Sequence, residues 1–305
     1  MTADGSARGS VGGATIVLVV VGVVVGVAFA PQAWSYATQP DGTVAVVELH
    51  GSITGDTASS VVDDLREARQ NDSIRAVVLD VDSPGGTAAA SEQLYLAVKR
   101  TAGEMPVVAS VTGTAASGSY YASLPADDIY VTPASVVGSV GVRATMPSEG
   151  VPAGEVVTGP DKGSGSTSQE VRQRVETLRR AFVGSVFAER GDRIELTRAE
   201  VSHAKVYAGA TGVENGMADE IGGVDTAIGA AADDAGLDDY EVVRMEAPQL
   251  SVLSQLGLSA DGEPADATTE QVFEYRGVDT VQYLMLHGTI ETQAAGTGVT
   301  ANASA

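Results

Sequence analysis

The chain has 305 residues, 44% of them apolar, and no cysteine, which is enough to bury a sizeable core and excludes disulfides and thiolate metal sites. Its 40 acidic and 18 basic residues give a formal charge of −22, which disfavours nucleic acid and other polyanions because those partners need basic stripes. The three histidines, His50, His203 and His287, lie far apart without ligand-like spacing, so no metal and no cofactor is expected.

Only Lys99, Lys162 and Lys205 are lysines, and the other basic residues are arginines. Acid spread along the chain with so little lysine favours adaptation to high salt over a docking patch for a basic partner. The first element is the uncharged run Ala14 to Ala30, ATIVLVVVGVVVGVAFA, followed by Trp34. Its length is at the short end of what spans a bilayer, and a soluble buried helix is rarely so rich in valine without a polar face. Ala28-Phe29-Ala30 also has the small-x-small form of a cleaved signal peptide. The length of the run favours an uncleaved anchor over residues 14–34, behind a tail of residues 1–13. Arg8, the sole cation ahead of it, weakly favours the bulk of the chain outside the cell, as a single-pass cell-membrane protein.

After a linker, Val44 to Leu49 reads as a strand ending at Gly51, and Ser59 to Arg69 as a helix. Ala76 to Val81 is a second strand that stops at Asp82-Ser83-Pro84-Gly85-Gly86; a helix with Leu94, Ala97 and Val98 on one face follows, then a strand from Pro106 to Val111. Gly113 to Leu124 is rich in small residues and helical in character, and Ile129 to Val131 is a strand. Met146 to Pro160 reads as a loop, and Ser168 to Glu189 as a long helix, with Val171, Val175, Leu178, Phe182 and Val186 at helical spacing. A helix from Val224 to Ala235 and a strand from Tyr240 to Met245 close the domain. Strands alternating with helices predict an α/β fold with a mostly parallel sheet over residues 43–248. Residues 249–305 form an extension with an acidic linker (Ser259 to Glu270) and a polar tail (Thr292 to Ala305); Tyr283 to Leu286 is expected to add a strand to a neighbour.

Four segments could carry chemistry. Ser83-Pro84-Gly85-Gly86 ends a parallel strand, where open α/β sheets place their sites, and its glycines let backbone N–H groups approach an oxyanion. An ordinary turn explains it equally well. Ala115-Ala116-Ser117-Gly118-Ser119-Tyr120-Tyr121 offers an unhindered serine at a helix start, suited to a nucleophile with an oxyanion hole, against the plainer alternative of close packing through small residues. No histidine follows at a distance suited to a Ser–His–Asp triad, so another base is needed. Lys162 can serve if its surroundings lower its pKa from about 10.4; a surface lysine is the plainer alternative, made rarer by the scarcity of lysine. In Val136-Val137-Gly138-Ser139-Val140-Gly141, an edge strand by its glycines, the Ser139 hydroxyl could hold that amine.

Together and in this order these segments resemble the signal peptide peptidase A family, also called protease IV, a membrane-bound branch of the crotonase and Clp-protease fold. The resemblance runs from about Val44 to Met245 and includes a closing signature, Val206-Tyr207-Ala208-Gly209 with Gly216-Met217-Ala218-Asp219-Glu220-Ile221-Gly222. It implies a βαβ superhelix preceded by one transmembrane helix. By the family's pattern Ser117 is the nucleophile, with Ser119 in place of a second glycine. Gly118 and the Gly85–Gly86 turn supply the oxyanion hole, Ser139 contacts the lysine, and Lys162 is the base, with Lys205 as fallback. The implied reaction is peptide-bond hydrolysis through an acyl-enzyme, on signal peptides or other short apolar peptides. Relatives with one such domain form homo-oligomeric rings in which neighbouring protomers supply Ser and Lys. A crotonase-type acyl-coenzyme A enzyme would need a catalytic acid by the oxyanion hole and a basic patch, and neither is evident. An inactive membrane scaffold of the same fold is the other alternative.

Overall fold

The computed structural model describes residues 40–145, 158, 167–245 and 283–287. The expected anchor at 14–34, Lys162, the acidic linker, the polar tail and all of the 146–160 loop except Thr158 lie outside the described residues. Among those described, no helix is long and apolar enough to cross a membrane.

Stretches such as Val44–Val47 and Val77–Leu79 have no polar face, so strands made from them are stable only when covered on both sides. The chain meets that demand by alternating strands with helices. It begins β1 (Gly42–His50), α1 (Gly55–Gln70), β2 (Ile74–Ser83), β3 (Gly85–Thr87), α2 (Ala88–Ala102), β4 (Val107–Ala116), α3 (Gly118–Ser123) and β5 (Asp128–Val131). There follow β6 (Val136–Gly138), β7 (Arg143–Ala144), α4 (Ser168–Arg190), α5 (Arg198–Val201), β8 (Val206–Ala208), α6 (Gly209–Glu214), β9 (Glu220–Ile221), α7 (Val224–Asp234), β10 (Tyr240–Met245) and β11 (Tyr283–Leu286).

The main sheet has eight strands, in the order β10-β1-β2-β4-β5-β9, with β6 on β4 and β8 on β6. Every pairing in it is parallel except β6 with β8. Alternate residues of the strands face two apolar layers. Ala45, Val47 and Leu49 pack with residues of α1, α2 and α4, while Val44, Val46, Ala76 and Val78 meet Ala227, Ile228 and Ala231 of α7. The expected parallel α/β sheet is therefore present, between Gly42 and Met245. Two expectations are corrected. Gly113–Ala116 continues β4 instead of starting a helix, because it pairs with β6 from Thr114 to Ala116. Tyr283–Leu286 is a strand, but it pairs within its own chain: it lies between β3 and β7, antiparallel to both, in a separate three-stranded sheet.

The end of α4 is tied to the sheet by one buried ion pair. Arg190 is only 1% exposed, gives two hydrogen bonds to Asp219 at 3.0 and 2.9 Å and a third to the Gly216 carbonyl. Asp219 also accepts the Ile129 N–H at the start of β5 (2.8 Å). Burial pushes the Asp219 carboxyl up, but the Arg190 hydrogen bonds and charge outweigh that and hold it below the ordinary carboxylate value. A depressed folded pKa stabilises the fold above the unfolded value, near 4, and that contribution is lost as pH falls through the lower folded one. Asp219→Asn leaves the buried Arg190 without its countercharge and should cost about 3 kcal/mol. Urea unfolding at pH 7 measures the loss, and the difference from the parent chain should shrink as the pH is lowered below 4.

Candidate active site

β4 ends in the middle of the sheet, and the residue after it has an unusual backbone. Ser117 sits at φ 58°, ψ −115° between β4 and α3, a conformation that residues with a side chain rarely adopt. Such strain is on the order of 1–3 kcal/mol and persists only where neighbours enforce it. Here the enforcement is visible: the Ser117 N–H donates to the Gly138 carbonyl (2.8 Å), and its own carbonyl accepts the Tyr121 N–H (2.9 Å) as α3 begins. A sharp strand-to-helix turn of this kind raises a serine out of a sheet and aims the next N–H groups at whatever lies before it.

What lies before it is the Ser83–Gly86 turn. A Cβ on Gly85 would stand 2.6 Å from the Gly118 nitrogen, and one on Gly118 would stand 2.1 Å from the Ser91 hydroxyl, so both positions are bare by necessity. Gly85, at φ +94°, also has its N–H committed to the Ser83 hydroxyl (3.1 Å). Its carbonyl accepts from Ile53 and the Thr87 N–H donates back to Ile53, both at 2.9 Å. Strand alternation therefore turns the N–H of Gly86 to the opposite side, toward β11 and the Gly118 end of α3. Of the two glycines, Gly86 offers a donor and Gly85 offers space.

Ser119 is fully buried, and its hydroxyl lies 2.6 Å from the Ser83 carbonyl and 2.9 Å from that of Ala116. Where the resemblance has a glycine, this chain has a clasp between the serine turn and the glycine turn. Tyr121, one turn further along α3, stacks on Tyr95 (4.7 Å between centroids) and meets Phe182 edge-on, seating the short helix against α2 and α4. Next to it, the Tyr120 hydroxyl donates to the Met217 carbonyl (2.9 Å), and burial raises its pKa.

Ser139 follows Gly138 of β6, and Gly138 is the register partner of Ala116, so Ser117 and Ser139 leave neighbouring strands side by side. Ser139 has φ 57°, its N–H donates to the Lys205 carbonyl (2.8 Å), and its hydroxyl is 3.2 Å from Nδ1 of His287. Lys205 thus takes part through its backbone. Ser117, Gly85, Gly86, Gly118 and Ser139 come together; Lys162 lies outside the described residues. No motif in the sequence singles out His287 as a site residue. Its distance along the chain gives no sign of the contact, which exists because β11 returns to β3. No group of acidic and histidine residues able to hold a metal occurs among the described residues.

An α/β protein with a strained serine between strand and helix, faced by a bare glycine turn and backbone N–H donors, has the architecture used for attack on a carbonyl carbon by a serine oxygen. The profile of peptidase family S49 matches residues 99–149, the segment that holds Ser117 and Ser139. The chain is 33% identical to Protease 4 of Salmonella typhi over 66% of this chain and 36% of that protein. It is 27% identical to Protease 4 of Haemophilus influenzae over 70% of this chain and 39% of that protein. The corresponding figures for the chloroplastic serine protease SPPA of Arabidopsis thaliana are 26%, 67% and 33%. The chain is therefore similar to members of peptidase family S49. It spans between 33% and 39% of the length of these relatives.

Two substitutions test the site's construction. Ser119→Ala leaves the Ser83 carbonyl without its buried donor and should cost about 1–3 kcal/mol in urea unfolding. Gly85→Ala inserts a methyl group 2.1 Å from the Met285 carbonyl and 2.6 Å from the Gly118 nitrogen, and should lower the melting temperature and close the space before Ser117.

Proposed function

We propose that this chain is a serine endopeptidase that hydrolyses signal peptides or other short apolar peptides through a Ser–Lys dyad. The observation that carries the reading is the strained backbone of Ser117, followed by the Gly118 N–H and facing the bare Gly85–Gly86 turn. Strain held at a serine by hydrogen bonds on both sides is consistent with a nucleophile kept ready. The names of the relatives, two called Protease 4 and one called serine protease SPPA, support the same class.

In the proposed reaction the neutral amine of Lys162 takes the Ser117 proton as Oγ attacks the scissile carbonyl. The oxyanion is met by the N–H groups of Gly118 and Gly86, donors already oriented and therefore needing no reorganisation as charge develops. Lys162 gives its proton to the leaving amine, and water releases the acyl group by the reverse sequence. Ser139 positions the lysine. The apolar run at residues 14–34 anchors the protein in the cell membrane with residues 43–248 outside the cytoplasm, and the protein assembles as a homo-oligomeric ring whose neighbours share the dyad.

The test is covalent labelling of the detergent-purified full chain in high salt with a fluorophosphonate, mapped by mass spectrometry. Label is expected on Ser117 and absent in Ser117→Ala. Lys162→Ala should slow labelling by roughly 10²-fold or more, the usual contribution of a general base. An oligomer that leaves Ser117 unlabelled both in the full chain and in the chain ending at Gln282 would contradict the proposal.

A further inference from the structure

β11 is joined to the rest of the fold in the way a bound peptide joins a sheet. It lies between β3 and β7, with Leu284 in register with Thr87 on one side and Arg143 on the other. Both edges of its backbone are therefore engaged, as in strand addition, where main-chain hydrogen bonds give affinity and pockets for side chains give selection. Leu284 and Met285 are 5% and 3% exposed. The Tyr283 ring sits 5.3 Å from the Arg174 guanidinium, while its hydroxyl is buried with no hydrogen-bond partner. The slot thus takes the ring and ignores its oxygen, as a site for apolar side chains does.

The register of this strand is informative. The His287 N–H donates to the Pro84 carbonyl (2.8 Å), which makes Pro84 and His287 a hydrogen-bonded pair of the antiparallel ladder. Two residues along, Gly86 and Met285 are register partners and so form the next such pair. The Gly86 N–H is then directed at the Met285 carbonyl. That oxygen also lies 2.1 Å from where a Cβ on Gly85 would stand and 2.9 Å from where one on Gly118 would stand. It occupies the place before Ser117 in which a carbonyl under attack would lie. At the other end, His287 contacts the Ser139 hydroxyl, the group assigned to the lysine.

From this geometry we infer that Tyr283–His287 is a built-in ligand of the slot between β3 and β7, seated in substrate register with Met285 presenting the carbonyl, so that the chain occupies its own peptide site. This rests on the peptidase reading for what the slot is used for, but occupancy of the slot can be measured without catalysis. The ligand class is an extended chain with large apolar side chains at the carbonyl-bearing position and the one before it. Other peptides must displace the resident strand, and the Ser139 hydroxyl is released from His287 when they do.

The experiment uses a fluorescent peptide spanning Val281–Ile290, titrated by anisotropy against three full-fold proteins in a Ser117→Ala background. These are the complete chain, the chain ending at Gln282, and the complete chain with Met285→Asp. The truncated and Met285→Asp proteins should bind the peptide at least tenfold more tightly than the complete chain, and a peptide carrying Asp in place of Met285 should not bind the truncated chain. Should truncation impair folding, as read by circular dichroism, the Met285→Asp protein gives the same comparison. Equal affinity for all three proteins, or no binding by either opened slot, would overturn the inference. Failure of the peptidase reading looks different: Ser117 of the truncated chain, with its serine restored, would resist fluorophosphonate while the binding difference persisted.

Discussion

The backbone of Ser117 is the constraint on which the rest of the site depends. A side chain at φ 58°, ψ −115° is held against its conformational preference by the carbonyl of Gly138 on one side and the first turn of α3 on the other. For Gly138 to be there, β6 must pair with the last three residues of β4, beyond the point where β5 has ended its own pairing. For α3 to begin there, its small residues must pass beneath the Ser83–Gly86 turn. The Ser119 clasp and the stacked Tyr121 and Tyr95 fix that approach. The extra length of β4 and the tyrosines of α3 are therefore parts of one device.

The same device explains the division of labour between the two glycines. Gly85 carries the positive φ and faces the nitrogen of Gly118, so any side chain there would run into that nitrogen and the Met285 carbonyl. Gly86 is bare for a different reason: a Cβ on it would meet the Ile53 carbonyl at 1.9 Å, against the bridge that aligns the turn with the segment after β1. One glycine makes room beside Gly118 and the other lets the turn dock on Ile53. The Arg190–Asp219 pair closes the domain by joining α4, β5 and the approach to β9.

Much of this was legible in the sequence, and the reasons differ by element. The long strands and helices declare themselves through period and length: Tyr240–Met245 falls where the pattern puts it, and α4 begins at Ser168 as expected. Strands of two or three residues, such as β7 and β9, have no period to read. The Gly113–Ala116 segment reads as helical because small residues suit a helix locally, while its strand state is imposed by pairing with β6. At the candidate site, Ser117, Gly118 and the Gly85–Gly86 turn are short motifs that stand out in the sequence. The hydrogen bonds that tie the Gly85 N–H to Ser83 and its carbonyl to Ile53 are encoded by no motif. The arrival of His287 at Ser139 depends on a strand that returns from far along the chain.

The most direct test of the central claim is a crystal structure of the protein with a peptide aldehyde bound, its resident strand removed by ending the chain at Gln282. The account predicts a hemiacetal on Ser117 Oγ whose oxygen lies within hydrogen-bond distance of the Gly118 and Gly86 nitrogens, with the peptide antiparallel to β3 in the place of β11. An aldehyde left unreacted, or an adduct whose oxygen turns away from both N–H groups, would contradict it.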